Sequence, residues 1–454
     1  MSGVAKLLLD AGYKVTGSDS GAYPPVSTYI ESLGIPVFTS YNASNIPDDA
    51  EFIVIGKNAK LVPETNEEVK AAIESGIPIY SFAEVLGTLT KKRPTTVVAG
   101  SFGKSTTTGL IAWSLMHARK NAGYFIGALA NGLTHTSLLG SGGTFVLEGD
   151  EYPSSNTDNK SKFLHYHAHD VVLISGAHDH VNVFPTLESY LAPFRTLVKN
   201  LPQDGLLVAC IDNEHVTEIA AETSAKLVTY SLDNASADYV ARDISYGEVT
   251  SYTLMCRGNV VDTFTTPLLG VHNIQNCVGA SALLLERGHL TVPELHDAIA
   301  SFTGIKRRLE KKNTSTSVLV YEGFGSSVHK ARAAIEAIRL HFPSRRLLIV
   351  FEPYEFSWRN REMISWYDYA FKGASTVLIY KPATQGALTH DQLSHDEIVE
   401  RVIASGCTAI KIATKEEGEV YLKENLREGD VVLMMSSGTI GGLVESVPAI
   451  ADAL

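Results

Sequence analysis

Apolar and polar positions alternate between strand-like and helix-like spacing from the first residues onward. Val4–Ala11 carries its apolar side chains at helical intervals and stops at Gly12, and Tyr13–Thr16 is a short strand-like run ending at Gly17-Ser18-Asp19. Phe52–Ile55, a helix from Glu64 to Ser75, and Ile77–Tyr80 repeat the alternation, which the polar Lys91-Lys92-Arg93-Pro94 then interrupts as a linker. Thr95–Ala99 reads as a strand followed by a helix through Ala118, and Phe145–Leu147 and Val171–Ile174 as further short apolar strands. Towards the C-terminus, Ser317–Tyr321, Arg346–Phe351, Thr376–Tyr380 and Val431–Met435 alternate with helices such as Lys330–Leu340 and His395–Ser405. Continuous apolar runs separated by helices predict parallel sheets covered on both faces, an α/β chain.

A doubly wound nucleotide-binding unit opens with a strand and a glycine-rich turn ahead of its first helix. Here the helix comes first, so the sequence predicts an N-terminal unit lacking its first strand, with Met1-Ser2-Gly3 as the last part of the turn. Asp19, at the end of the next strand, is placed either to hold a ribose or to cap a loop.

The segment after Thr95–Ala99 changes the picture most. Gly100-Ser101-Phe102-Gly103-Lys104-Ser105-Thr106 joins a strand to a helix that begins at Lys-Ser. Glycines let backbone N–H groups approach an anion, and the helix N-terminus adds a favourable dipole. Lys104 would neutralise β/γ oxygens of a nucleotide and the Ser105 hydroxyl would ligate Mg²⁺. The Gly-x-x-Gly-Lys-Ser spacing is two residues shorter between its glycines than the usual phosphate loop. Glu148-Gly149-Asp150-Glu151 and His178-Asp179-His180 follow two other short strands. Ligands gather at the carboxyl ends of parallel strands, so these clusters and the phosphate loop are expected at one edge. Ser105 with Glu148 would hold one Mg²⁺, and His180 with Glu148 a second, a sparse oxygen-rich shell of the kind Mg²⁺ accepts. Taken singly, each cluster would equally be a solvated loop or a polar turn.

Composition narrows the class. At roughly 150 residues per domain, 454 residues predict about three domains. The formal net charge of −12 excludes binding of polyanions by bulk positive charge. No apolar run nears the ~18 residues of a membrane span. Cys210, Cys256, Cys277 and Cys407 are scattered, without a Cys-x-x-Cys pair, so neither a disulfide framework nor a zinc knuckle is indicated. With no basic-then-apolar leader, a cytoplasmic protein with small-molecule partners is expected, without nucleic acid or membrane.

These motifs, in this order, resemble the Mur ligases, ATP-dependent amide-forming enzymes of peptidoglycan synthesis. Gly100–Thr107 looks like their Gly-Thr-x-Gly-Lys-Thr-Thr-Thr loop, and Glu148-Gly149-Asp150-Glu151 like their Glu-Ala-Asp-Glu. Gly270-x-His272-Asn273-x-x-Asn276 resembles the adenine-side segment, Lys306-Arg307-Arg308 the opening of the third domain, and His180 the second-metal histidine. The branch acting on UDP-N-acetylmuramate fits best, and within it Gly17-Ser18-Asp19, Tyr23–Thr28, Glu151-Tyr152 and Lys160–Tyr166 are similar to the recycling branch, which joins L-alanyl-γ-D-glutamyl-meso-diaminopimelate tripeptide to that sugar.

The resemblance implies a three-domain Mur ligase architecture: a Rossmann-like UDP-sugar domain at 1–93, a central P-loop ATPase domain at 94–305 and a Rossmann-like acceptor domain at 306–454. It implies ATP and Mg²⁺ as cofactors. Lys104, Glu148 and His180 would be catalytic. Gly100, Ser101, Gly103, Lys104, Ser105, Thr106, His272, Asn273, Asn276 and Arg308 would bind the nucleotide, and Ser18, Asp19 and Glu151 the substrate. The metal ligands would be Ser105, Glu148 and His180. The reaction implied is amide formation between the lactyl carboxylate of UDP-N-acetylmuramate and an L-alanyl-γ-D-glutamyl-meso-diaminopimelate tripeptide, with L-alanine the alternative acceptor.

Three departures stand out. Glu322-Gly323-Phe324-Gly325-Ser326-Ser327-Val328 replaces a family segment with two histidines and a proline, Ser175-Gly176-Ala177 replaces Asn-x-Glu, and Phe102 stands where histidine is common. They keep a third reading open, a nucleotide-binding homologue with impaired catalysis. In the last domain, Arg359 or Arg361 would hold a carboxylate or sit in a solvated basic turn. Ser436–Gly442 would form an anion-binding nest or a plain strand–helix turn.

Overall fold

The computed structural model describes residues 1–21, 26–180, 183–384 and 391–454; Tyr23, Pro24 and Pro25 of the Tyr23–Thr28 motif lie outside them. Two compact units divide the chain. The first comprises Met1–Asp243, Tyr252–Thr265 and Ile274–Phe302, and the second Ile244–Ser251, Thr266–Asn273 and Thr303–Leu454.

The first unit is organised around a ten-stranded sheet in the order Asn259–Thr266, Thr250–Cys256, Tyr239–Ser245, Lys226–Ser231, Leu206–Cys210, Asp170–Leu173, Thr95–Ala99, Phe145–Glu148, Gly123–Phe125, Ser137–Leu138. From Gly123–Phe125 across to Tyr239–Ser245 neighbouring strands run parallel. Thr95–Ala99 and Leu206–Cys210 are buried at every position, which accounts for their unbroken apolar and β-branched character. Thr95–Ala99 lies between Phe145–Glu148 and Asp170–Leu173, so the three loops that leave their carboxyl ends are neighbours. The Lys104–His117 helix is buried around most of its circumference, with Leu110, Ile111, Ala112 and Leu115 in the interior.

Before this sheet come two two-stranded parallel ladders, Gly17–Ser18 with Val37–Phe38 and Ile53–Ile55 with Ile79–Ser81. The expected strand at Tyr13–Thr16 is therefore displaced: pairing begins only at Gly17. The expected helix at Glu64 begins at Glu67, because the Asn66 side chain accepts a hydrogen bond from the Val69 N–H and caps it there. Within the polar linker, Arg93 is fixed: its guanidinium donates to the Leu139 carbonyl at 2.8 Å and lies 5.7 Å from the Phe145 ring centroid.

The second unit holds a six-stranded sheet in the order Arg308–Lys311, Leu319–Gly323, Val431–Met435, Leu347–Phe351, Thr376–Tyr380, Thr408–Ile412. Only the first pairing is antiparallel. One face packs on Ile335, Trp358, Tyr367 and Phe371, the other on Ile440, Leu443, Val447 and Ala451. Among the described residues no helix is long and apolar enough to cross a membrane.

Candidate active site

The phosphate loop is built on two glycines with left-handed backbone. Gly100 has φ +140° and Gly103 φ +83°. A Cβ on Gly100 would stand 2.8 Å from the Ser175 nitrogen, and one on Gly103 would stand 2.7 Å from the Asn276 side-chain oxygen. Both glycines are thus required by conformation and by close approach. Asn276, expected on the adenine side, is buried and packs directly against the loop's turn.

The segment after Asp170–Leu173 braces the loop. Ser101 N–H donates to the Ser175 carbonyl at 3.2 Å and Phe102 N–H to the Ser175 hydroxyl at 3.0 Å. The Ser101 hydroxyl donates to the Ala177 carbonyl and accepts from Tyr190 at 3.0 Å. In the sequence Ser175 stands out only as part of the Ser175-Gly176-Ala177 departure, without a loop-bracing role, and Tyr190 does not stand out. Phe102 projects outward, 56% exposed.

At the start of the helix the charged groups sort into two sets. The Lys104 ammonium donates to the Gly100 carbonyl at 2.6 Å and to the Glu151 carboxylate at 2.9 and 3.2 Å. His180 Nε2 approaches the same carboxylate at 3.2 Å, so Glu151 joins the two. His180 has a left-handed backbone, φ 56°, and its ring meets Tyr152 edge-on at 4.6 Å. Glu151 is almost wholly buried, and that burial raises its carboxyl above the ordinary carboxylate range although Lys104 pulls it down. Separately, the Ser105 hydroxyl donates to Glu148 at 2.8 Å, and the other Glu148 oxygen accepts from the Gly127 N–H at 2.7 Å. A hydroxyl and a carboxylate so oriented are hard oxygen donors that suit a mostly hydrated Mg²⁺. Among the described residues, no three His, Cys, Asp or Glu side chains converge as a ready metal cage. Thr106 is buried in the helix's first turn.

Of the remaining expected residues of this unit, Ser18 ends the strand of the first small ladder and Asp19 follows it. Ser18 Oγ accepts from Asn45 at 3.2 Å, and Asp19 accepts from the Gly21 N–H at 2.9 Å, a loop-capping contact.

In the second unit, His272 lies in the first turn of the Val271–Glu286 helix, and the Asn273 amide donates to the Leu269 carbonyl at 2.8 Å. Arg308 is exposed on the strand opposite Gly323. Its neighbour Arg307 pairs with buried Glu322 at 2.9 Å and donates to the Ser436 and Gly438 carbonyls at 3.0 and 2.8 Å. Ser327 caps the Val328–His341 helix. Buried Arg359 donates to the Ala383 carbonyl at 2.8 Å and is not in a solvated turn, whereas Arg361 is partly exposed and pairs with Asp391 and Glu397 of its own chain. The nest expected at Ser436–Gly442 has an anion of its own. Glu352 accepts from the Ser436 hydroxyl at 2.5 Å and from the Ile440 N–H at 3.1 Å.

A parallel sheet with a glycine-rich phosphate loop and carboxylates at the adjoining strand ends marks a nucleotide-phosphate-binding α/β protein. The Mur ligase middle domain matches residues 98–284, the Mur ligase family catalytic domain residues 1–94, and the Mur ligase glutamate ligase domain residues 307–438. The chain belongs to the Mur ligase family, with its three-domain architecture and ATP-dependent amide-bond chemistry. It is 28% identical over 450 residues to a UDP-N-acetylmuramate–L-alanine ligase of Desulfosudis oleivorans, covering 98% of this chain and 95% of that protein. A UDP-N-acetylmuramate–alanine ligase structure from Thermotoga maritima superposes with a TM-score of 0.77 at 20% identity, over 99% of this chain and 96% of that one. A UDP-N-acetylmuramate:L-alanyl-γ-D-glutamyl-meso-diaminopimelate ligase from Neisseria meningitides is 27% identical with a TM-score of 0.62, over 68% of this chain and 96% of that one.

Proposed function

We propose that the protein activates the lactyl carboxylate of UDP-N-acetylmuramate with ATP and couples it to the amine of the L-alanyl-γ-D-glutamyl-meso-diaminopimelate tripeptide. The observation that carries the activation step is the pairing of Ser105 with Glu148 beside the Lys104–Glu151 pair, at the start of a helix that follows a glycine-rich loop. In this reading residues 1–93 hold the UDP-sugar, with Ser18 and Asp19 among its contacts, 94–305 the ATP, and 306–454 the acceptor.

A carboxylate oxygen attacks the γ-phosphorus and ADP leaves. The amine nitrogen then attacks the acyl carbon of the resulting acyl phosphate, inorganic phosphate leaves and the nitrogen gives up a proton. Both steps build negative charge on oxygen, so preorganised positive groups matter more than a protein nucleophile. The N–H groups of Gly100 and Gly103 would face the phosphates with those of Lys104, Ser105 and Thr106, while Ser101, tied to Ser175 and Ala177, holds the loop that presents them. Lys104 exchanges Glu151 for a phosphate oxygen, and Glu151 and His180 orient the sugar carboxylate. Mg²⁺, when bound by Ser105 and Glu148 and in a second position by His180, would neutralise charge on the transferred phosphoryl group. His272, Asn273 and Asn276 are the adenine-side residues, and Arg308 is a further nucleotide contact.

L-alanine is the second acceptor reading, favoured by the full-length likeness to ligases named for it. The tripeptide is favoured by the likeness of Gly17-Ser18-Asp19 and Lys160–Tyr166 to the recycling branch. The test is ADP release with UDP-N-acetylmuramate and Mg²⁺-ATP, offering L-alanine, tripeptide or no amine. Turnover with tripeptide alone is the expected result. Turnover with L-alanine alone selects the second reading, and nucleotide binding without amine-dependent turnover leaves an impaired homologue.

A further inference from the structure

His341 ends the Val328–His341 helix and is buried at 5% exposure, outside every group of residues considered above. Its two ring nitrogens hold two separate backbone segments of the second unit. Nε2 accepts from the Gly270 N–H at 2.8 Å, and Nδ1 lies 2.7 Å from the Gly247 carbonyl. A backbone N–H pointing at Nε2 requires that nitrogen to be bare, and a carbonyl at Nδ1 requires a proton there. The contacts therefore select one neutral tautomer.

Gly270 has φ +94°, and a Cβ there would stand 2.7 Å from the His272 ring and 3.2 Å from Ala337, one turn before His341. The chain thus turns sharply at Gly270, under His272, at the point that His341 grips. The groups facing His341 are His272 on the segment after Gly270, Tyr246 edge-on at 5.2 Å, and the Glu248–Lys311 pair beside Gly247. The flanking Phe342 is uncharged.

We infer that His341, as the neutral Nδ1–H tautomer, is a positioning residue that fixes the Gly270–Asn273 turn for nucleotide binding. The inference rests on the adenine-side reading of His272 and Asn273. Protonating Nε2 turns the acceptor for Gly270 into a second donor and releases the turn. Burial lowers the proton affinity of this imidazole, so the release belongs to acid pH, below the ordinary histidine range.

The experiment uses the full chain, wild type and the variants His341→Gln and His341→Phe, between pH 8 and pH 4.5. One readout is ADP affinity by titration; the other is protection of the Gly270 amide by hydrogen exchange. Glutamine offers one donor and one acceptor without titrating, and phenylalanine fills the volume with neither. In wild type, both Gly270 protection and ADP affinity should fall about tenfold at the acid end, the worth of one hydrogen bond. His341→Gln should flatten both profiles, and His341→Phe should be weak throughout. Gly270 protection that does not change with pH in wild type, or that falls equally in His341→Gln, overturns the inference. Protection that falls while ADP affinity stays flat upholds the grip on Gly270 and overturns the nucleotide reading of His272 and Asn273. His341→Gln keeps the test valid should His341→Phe not fold.

Discussion

The Lys104 ammonium and the Glu151 carboxylate stand 2.9 Å apart, so the phosphate-loop lysine is already engaged by an anion of the same chain. Nucleotide phosphates would compete with Glu151 for it. Lys104→Ala should abolish ADP release while leaving the fold intact by circular dichroism. Glu151→Gln should tighten ADP binding several-fold by calorimetry, since the competing charge is gone, and lower kcat because His180 loses its charged partner.

The same carboxylate gives a pH signature. Its folded-state proton affinity is raised by burial, so the folded protein binds a proton there more readily than the unfolded chain. The contribution to stability is therefore favourable at pH below the ordinary carboxylate value and is lost as pH rises through the folded value. Glu151→Gln, which cannot titrate, should show less gain in melting temperature on acidification from pH 7 to pH 5 than wild type. A melting series across that range checks the sign.

Glu148 is gripped by Ser105 and Gly127 on opposite oxygens. Glu148→Gln should raise the Mg²⁺ concentration for half-maximal ADP release at least about tenfold and cut kcat about a hundredfold, the scale of losing one preorganised electrostatic group. A Mg²⁺ titration at saturating ATP separates the two effects.

Gly103→Ala meets a left-handed backbone and the Asn276 side chain together. The backbone alone costs about 1–2 kcal/mol. Nucleotide binding should fail in calorimetry while the melting point drops by only a few degrees.

Arg307 is a structural link between Glu322 and the Ser436–Gly438 carbonyls. Arg307→Ala leaves Glu322 with Lys312 at 3.2 Å as its remaining partner. Because Arg307 is itself partly exposed, the expected loss is about 1–2 kcal/mol, read from a urea midpoint, rather than the larger cost of breaking a fully buried pair.

Strands of both large sheets could be read where they are short apolar runs with helices between them, and Thr95–Ala99 and Thr376–Tyr380 appear at the bounds expected. The two-residue ladder at Gly17–Ser18 carries no apolar pattern of its own and exists through Val37 and Phe38, so spacing could not locate it. The Leu206–Thr266 strands went unread, although Thr250–Cys256 alternates buried and partly buried positions in the ordinary way of a half-buried strand. At the site, the proximity of Lys104, Ser105 and Glu148 followed from strand order alone. The partners of Arg359, Arg361 and Glu352 did not, because each is a contact made across at least 24 residues of chain, which local spacing does not encode.

Glu352 sits among the N–H and hydroxyl donors of the Ser436–Gly442 loop, which Ile440, Gly441 and Gly442 bend into a left-handed path. Such a loop has no need of a visiting ion to acquire its shape. Its form is inherited with the fold, and the anionic position at its centre is filled by a side chain of the same chain.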